Sequence, residues 1–196
     1  MKKFLKKLWY FIWEDNSVLS WVVNIVLAFI LIKFLVYPGL GFVLATGSPV
    51  VAVVSGSMEH NSDFDSWWSE KTKQYELFNI TQENFETFNF KNGFNKGDLM
   101  LLKGKSPEEL KVGDVIVFRG GEADPVIHRI VSKEEVGNQA IFSTKGDNNA
   151  NQLVYEKTIT EERVLGKAIV RIPYLGYVKI AFSSLINGGW LNAILP

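Results

Sequence analysis

The chain contains no cysteine. Disulfides, thiolate nucleophiles and thiolate metal sites are therefore excluded, while the compartment stays open, since a cysteine-free chain suits either side of a membrane. Histidine is nearly as scarce. His60 and His128 are the only 2, far apart in sequence, which argues against a histidine-built metal centre, and no cofactor motif is present. An excess of charge is missing too. The 21 basic residues balance the 21 acidic ones, so the net charge of +0 supplies no global field to attract nucleic acid.

What the chain does have is apolar residues, at 47%, concentrated in its first quarter. Its 196 residues allow one domain of ordinary size plus an anchor. Positions 1–17 interleave Lys2, Lys3, Lys6 and Lys7 with Phe4, Leu8, Trp9, Tyr10, Phe11 and Ile12, the pattern of a basic amphipathic helix on a membrane surface. Glu14-Asp15-Asn16-Ser17 interrupts it and offers a cap for the next helix. From Val18 to Tyr37 the chain is almost wholly apolar, ending at Pro38-Gly39, and so supplies the ~20 residues a bilayer span needs. We place the span at 18–38, with Lys33 snorkelling at its far end and Asn24, its one deep polar group, available to another helix.

Four lysines precede the span, and none follows Lys33 until Lys71. The positive-inside rule puts the N-terminus in the cytoplasm and 39–196 outside, at the cell membrane. A cleavable signal peptide is the competing reading, but its apolar core runs only about 7–15 residues. This run is longer and its leader bulkier, as an uncleaved anchor requires.

Beyond Pro38, short apolar runs alternate with Gly, Pro, Asn and Asp. Strands are expected at Val50–Val54, Asp98–Leu102, Asp114–Phe118, Val126–Val131, Ala140–Ser143 and Val164–Ile172, in a mainly antiparallel β domain. Ser106-Pro107-Glu108-Glu109 reads as one capped helical turn. The strand Val50–Val54 runs directly into Ser55-Gly56-Ser57-Met58. A small nucleophile on a tight turn at the end of a rigid strand has its line of approach fixed by packing, although Ser-Gly-Ser alone reads better as a polar turn.

Three segments in order, Ser55-Gly56-Ser57-Met58, Val126-Ile127-His128-Arg129-Ile130-Val131 and Thr144-Lys145-Gly146-Asp147-Asn148-Asn149, resemble signal peptidase I. The resemblance is to its archaeal and endoplasmic-reticulum branch, which carries His where the bacterial branch carries a general-base Lys. Gly97-Asp98-Leu99-Met100, Val112-Gly113-Asp114-Val115-Ile116-Val117-Phe118 and the closing Ile172-Pro173-Tyr174-Leu175-Gly176-Tyr177-Val178 extend the match.

The resemblance implies a membrane-bound serine endopeptidase that cleaves signal peptides from preproteins after small residues. Its partners would be preproteins, the lipid bilayer and subunits of a secretion channel or peptidase complex. Ser57 would be the nucleophile and His128 the general base, because an imidazole titrating near pH 6.5 both takes and returns the proton. Asp147 is the expected third catalytic group, with an Asp-Asn turn as its structural alternative. The second acid of the endoplasmic-reticulum enzymes is missing from Ala150-Asn151-Gln152-Leu153, and Asp124 is a substitute. Ser57 N–H and the Ser55 hydroxyl would form the oxyanion hole, and Val53, Val54, Ile116 and Ile127 would line the substrate pockets. His60 is read as incidental, and Lys145 as the base of a minor Ser–Lys alternative.

Two regions depart from the family pattern. Positions 60–95 form an aromatic-rich insert, read as a surface subdomain with its own small core or as a flap whose Trp67-Trp68 edge touches lipid or substrate. Asn79-Ile80-Thr81 within it is a glycosylation sequon. Positions 174–196 are apolar but broken by Asn187-Gly188-Gly189, giving a membrane-proximal segment rather than a second span. Two functional alternatives remain: a protease dedicated to a narrow substrate set, and a non-catalytic accessory subunit of the same fold.

Overall fold

The computed structural model describes residues 2–121 and 124–186, so positions 187–196 of the expected membrane-proximal segment lie outside the described residues. The chain divides into two compact units, Met1–Val43 and Leu44–Pro196.

In the first unit, helix α1 (Lys2–Trp13) precedes helix α2 (Val18–Leu31). Ser17 caps α2 by accepting from the Ser20 N–H at 3.2 Å. The polar groups of α2 close α1 in turn. Ser20 Oγ donates to the Phe11 carbonyl at 2.5 Å and Asn24 Nδ2 to the Ile12 carbonyl at 2.9 Å, so the serine and the deep asparagine each satisfy one orphan carbonyl at the end of α1. The apolar helix does not stop at Pro38. It passes through a π turn (Ile32–Val36) into α3 (Tyr37–Val43), giving 26 helical residues that are long and apolar enough to cross a membrane. The π turn explains the extension: Tyr37 N–H reaches back to the Ile32 carbonyl, and the widened turn relieves the clash a proline ring makes with the preceding turn.

The second unit is built on a seven-stranded sheet in the order β1-β2-β7-β3-β4-β5-β6, antiparallel throughout. The strands are β1 (Val50–Ala52), β2 (Leu99–Lys103), β3 (Val115–Phe118), β4 (Val126–Val136), β5 (Gln139–Lys145), β6 (Ile159–Thr160) and β7 (Val164–Ile172). Central β3 is buried on both faces, so alternate residues enter two cores. Val115 and Val117 join Val53, Met58, Phe94, Met100, Leu102 and Ile127, whereas Ile116 and Phe118 join Leu110, Ile130, Phe142 and Ile159. β4 runs five residues past the expected Val131, because Ser132–Val136 pairs with the lengthened β5. Helix α6 (Gly176–Ile186) follows β7.

The insert folds into helices α4 (Phe64–Glu76) and α5 (Gln82–Glu86), capped by Asp63 and Thr81. Trp67, Trp68, Tyr75, Ile80 and Phe85 form a third core against Val131 of β4. The expected Trp67-Trp68 edge does not exist as a surface, since the two indoles are 2% and 5% exposed. Burying two large aromatic faces against the sheet outweighs leaving them for lipid or substrate.

Candidate active site

The Ser55-Gly56-Ser57-Met58 turn grows out of the sheet. Beyond β1, Val53 continues the ladder, its N–H donating to the Asp98 carbonyl and its carbonyl accepting from Gly97 N–H, both at 2.8 Å. Met58, fully buried, anchors the far side of the turn. Between these two fixed points Ser57 is presented, with its carbonyl held by Asn148 N–H at 2.8 Å.

His128 stands on β4 opposite Ile116 and is 3% exposed. Its Nε2 lies 2.9 Å from Ser57 Oγ. Its Nδ1 contacts Oε1 of Glu156, a fully buried carboxylate on the 3₁₀ turn Val154–Glu156. The other oxygen of Glu156 accepts Leu153 N–H at 2.7 Å, and Thr144 Oγ1 lies 3.4 Å from Oε1. A carboxylate on Nδ1 favours the tautomer with its proton there, leaving the Nε2 lone pair for the serine hydroxyl. Ser55 Oγ is 3.3 Å from Ser57 Oγ, close to where the oxygen of a carbonyl attacked by Ser57 would lie. In chemical terms this is a hydroxyl, an imidazole with one nitrogen facing it, and a buried carboxylate on the other nitrogen.

Asp147 does not occupy the place expected of it beside His128. Arg129 grips it with Nη2 to Oδ2 at 2.7 Å and Nε to Oδ1 at 3.0 Å; Tyr75 OH donates to Oδ1 at 2.7 Å, and His60 Nε2 lies 3.1 Å from Oδ2. Those four contacts use the capacity of a carboxylate, leaving none for a second imidazole. Burial would raise the Asp147 carboxyl, but the Arg129 guanidinium and His60 hold it well below the usual carboxylate range. Arg129 is equally saturated. Its remaining N–H groups reach the Asn89, Gly113 and Phe90 carbonyls at 2.9 Å each, so all its donors are used without exposure to water.

The other expected site residues fall as follows. Val53, Ile116 and Ile127 are core residues, 1%, 0% and 7% exposed, because β3 is buried on both faces and Val53 and Ile127 pack into the core on one of them; Val54 is half exposed. His60 stacks on Trp67 with ring centroids 3.6 Å apart and belongs to the Asp147 cluster. Lys145 lies opposite Arg129, donates to the Gly146 carbonyl at 3.0 Å and covers the Tyr75 ring at 5.0 Å. Burial pushes its ammonium down to about 8. Asp124 is exposed in the bend before β4. Sequence reasoning missed Glu156, although it is the first carboxylate after Asp147 and a window three residues wider reaches it.

No family model matches the chain. It is 31% identical over 169 residues to the signal peptidase complex catalytic subunit sec11 of Sclerotinia sclerotiorum, covering 83% of this chain and 78% of that protein. The chain belongs to the signal peptidase I family. The SEC11 subunits of Colletotrichum graminicola and Pyricularia oryzae are each 30% identical over 157 residues, with 76% of this chain and 73% of theirs aligned. These relatives place it in the endoplasmic-reticulum-type branch, and the one helix among the described residues that is long and apolar enough to cross a membrane is consistent with a membrane-bound member of the signal peptidase I family.

Proposed function

We propose that the chain is a membrane-anchored serine endopeptidase that removes signal peptides from secreted preproteins, with Ser57 as nucleophile, His128 as general base and Glu156 orienting the imidazole. The observation that carries this is the continuous contact from Ser57 Oγ through His128 to Glu156, closed by the 2.9 Å approach of Nε2 to Oγ.

His128 Nε2 takes the Ser57 proton as Oγ attacks the scissile carbonyl. The imidazolium that forms is stabilised by Glu156 and then gives the proton to the leaving amine. Ser57 N–H and Ser55 Oγ receive the oxyanion, an interaction worth about 3–4 kcal/mol per donor in comparable sites. Water repeats the cycle on the acyl-enzyme. β1 is an edge strand with β2 as its strand partner, so an extended peptide adds along its outer side, with Val54 beside the residues before the scissile bond.

The four lysines of α1 support an N-terminus on the cytoplasmic side, with the catalytic unit across the membrane. The relatives' names, as catalytic subunits of a complex, support partner subunits for this chain. The reading is tested by preprotein cleavage in detergent. Ser57→Ala and His128→Ala should both abolish it, whereas His60→Ala should retain it. A wild-type rate in His128→Ala would overturn the base assignment.

A further inference from the structure

The insert is tied to the catalytic elements by more than packing. Lys71 Nζ donates to the Asn148 carbonyl at 3.1 Å, and Tyr75 OH donates to Asp147 Oδ1 at 2.7 Å. These two residues lie four apart on α4, so they face the Gly146–Asn149 turn from one side of the helix. The Asn89 and Phe90 carbonyls of the same insert hold Arg129, the neighbour of His128 on β4.

The turn passes this grip to the nucleophile. Asn148 N–H donates to the Ser57 carbonyl at 2.8 Å, Asn148 Nδ2 donates to the Gly56 carbonyl at 3.1 Å, and Asp147 N–H meets Met58 Sδ at 3.4 Å. We infer that segment 60–95 is a buttress that sets the position of the Ser57 turn, with Tyr75 and Lys71 as positioning residues acting through Asp147 and Asn148. The inference rests on the reading of Ser57 as nucleophile.

Chemistry supports a rigid link. Burial and the Asp147 charge push the Tyr75 hydroxyl well above its ordinary range, so it stays a proton donor to the carboxylate at any working pH. Lys71 contributes a charge-assisted bond from a half-buried position. Their hydrogen bonds go to Asn148 and Asp147 rather than to Ser57 or His128, so loss of either loosens the turn without removing a reacting group.

The test uses the full chain in detergent, comparing wild type with Tyr75→Phe, Lys71→Met and Lys71→Arg. Two quantities are read: hydrogen exchange at the Asn148 amide, and kcat and KM on a peptide with a small-x-small site. Tyr75→Phe and Lys71→Met should speed Asn148 exchange and lower kcat by about 10- to 100-fold, the cost of a misplaced nucleophile, with KM held within about twofold. Lys71→Arg should restore both. Wild-type exchange and kcat in the first two variants would overturn the inference, as would faster exchange with unchanged kcat. A fall in Tm with kcat unchanged well below it would reduce both residues to packing. If Ser57→Ala itself still cleaves, the nucleophile assignment fails instead, and the exchange data show separately whether the insert holds the turn.

Discussion

Replacing Glu156 by Gln changes one atom of a fully buried group, and its effect follows from the surrounding donors. Leu153 N–H, 2.7 Å from Oε2, requires an acceptor there, so the new amide must turn its oxygen toward Leu153. Its NH₂ then faces His128 Nδ1. Two donors cannot share that contact, so Nδ1 becomes the acceptor and the ring proton moves to Nε2, against the Ser57 hydroxyl it should deprotonate. A comparable acid-to-amide change in a serine protease triad of another fold costs about 10⁴ in kcat, so a loss of ~10³–10⁴, about 4–5.5 kcal/mol, is expected here. KM should hold, because no substrate contact is touched. Steady-state cleavage of a fluorogenic peptide measures it, with circular dichroism confirming the fold. Asp147→Asn is the control. It leaves the saturated Arg129 facing a neutral amide, so it should cost about 3–5 kcal/mol of stability, with a kcat loss no larger than the ~10- to 100-fold of a loosened Ser57 turn. A near-wild-type kcat in Glu156→Gln, beside a fully stable Asp147→Asn that has lost activity, would return the orienting role to Asp147 and refute the reasoning.

A methyl group added at Gly146 would lie 2.9 Å from His128 Nε2 and 2.9 Å from the Ser57 carbonyl, so Gly146→Ala should lower kcat by at least ~10-fold without unfolding the protein; an unchanged kcat would contradict the close approach. Lys145 gives a stability signature. Its ammonium is pushed down to about 8 in the fold, against ~10.4 unfolded, so over that window the unfolded chain holds the extra proton. Stability therefore rises with pH between about 8 and 10, by up to ~3 kcal/mol, and Lys145→Met should flatten the rise in denaturant midpoints. Because the chain lacks cysteine, single-cysteine variants report topology cleanly. An impermeant thiol reagent outside the membrane should label Leu77→Cys and spare Lys3→Cys, and the reverse pattern would invert the proposed orientation.

The sheet was legible in the sequence because its strands are short β-branched runs punctuated by turn residues; Val164–Ile172 matches to the residue, and β3 differs by one. The span's far end was not, because a proline ordinarily ends a helix and a π turn is invisible to hydropathy. Ser57 and His128, which the fold brings to 2.9 Å of each other, stood out through their flanking motifs. Asp147 misled because a buried Asp beside an Asn pair carries the same letters whether it faces His128 or Arg129. Only the fold shows that the insert brings Tyr75 and His60 to claim it. Glu156 reaches His128 through a 3₁₀ turn, whose geometry no spacing rule anticipates. The insert's aromatics allowed either a small core or an exposed edge, because nothing in the sequence shows which face of α4 meets Val131.

The most direct test of the account maps the products formed from one purified preprotein by the wild-type protein and by Ser57→Ala, using mass spectrometry on both halves of the cut. The account predicts a single cut after a small residue at the end of the signal peptide, absent in Ser57→Ala. The same cut at the same rate in Ser57→Ala would contradict it.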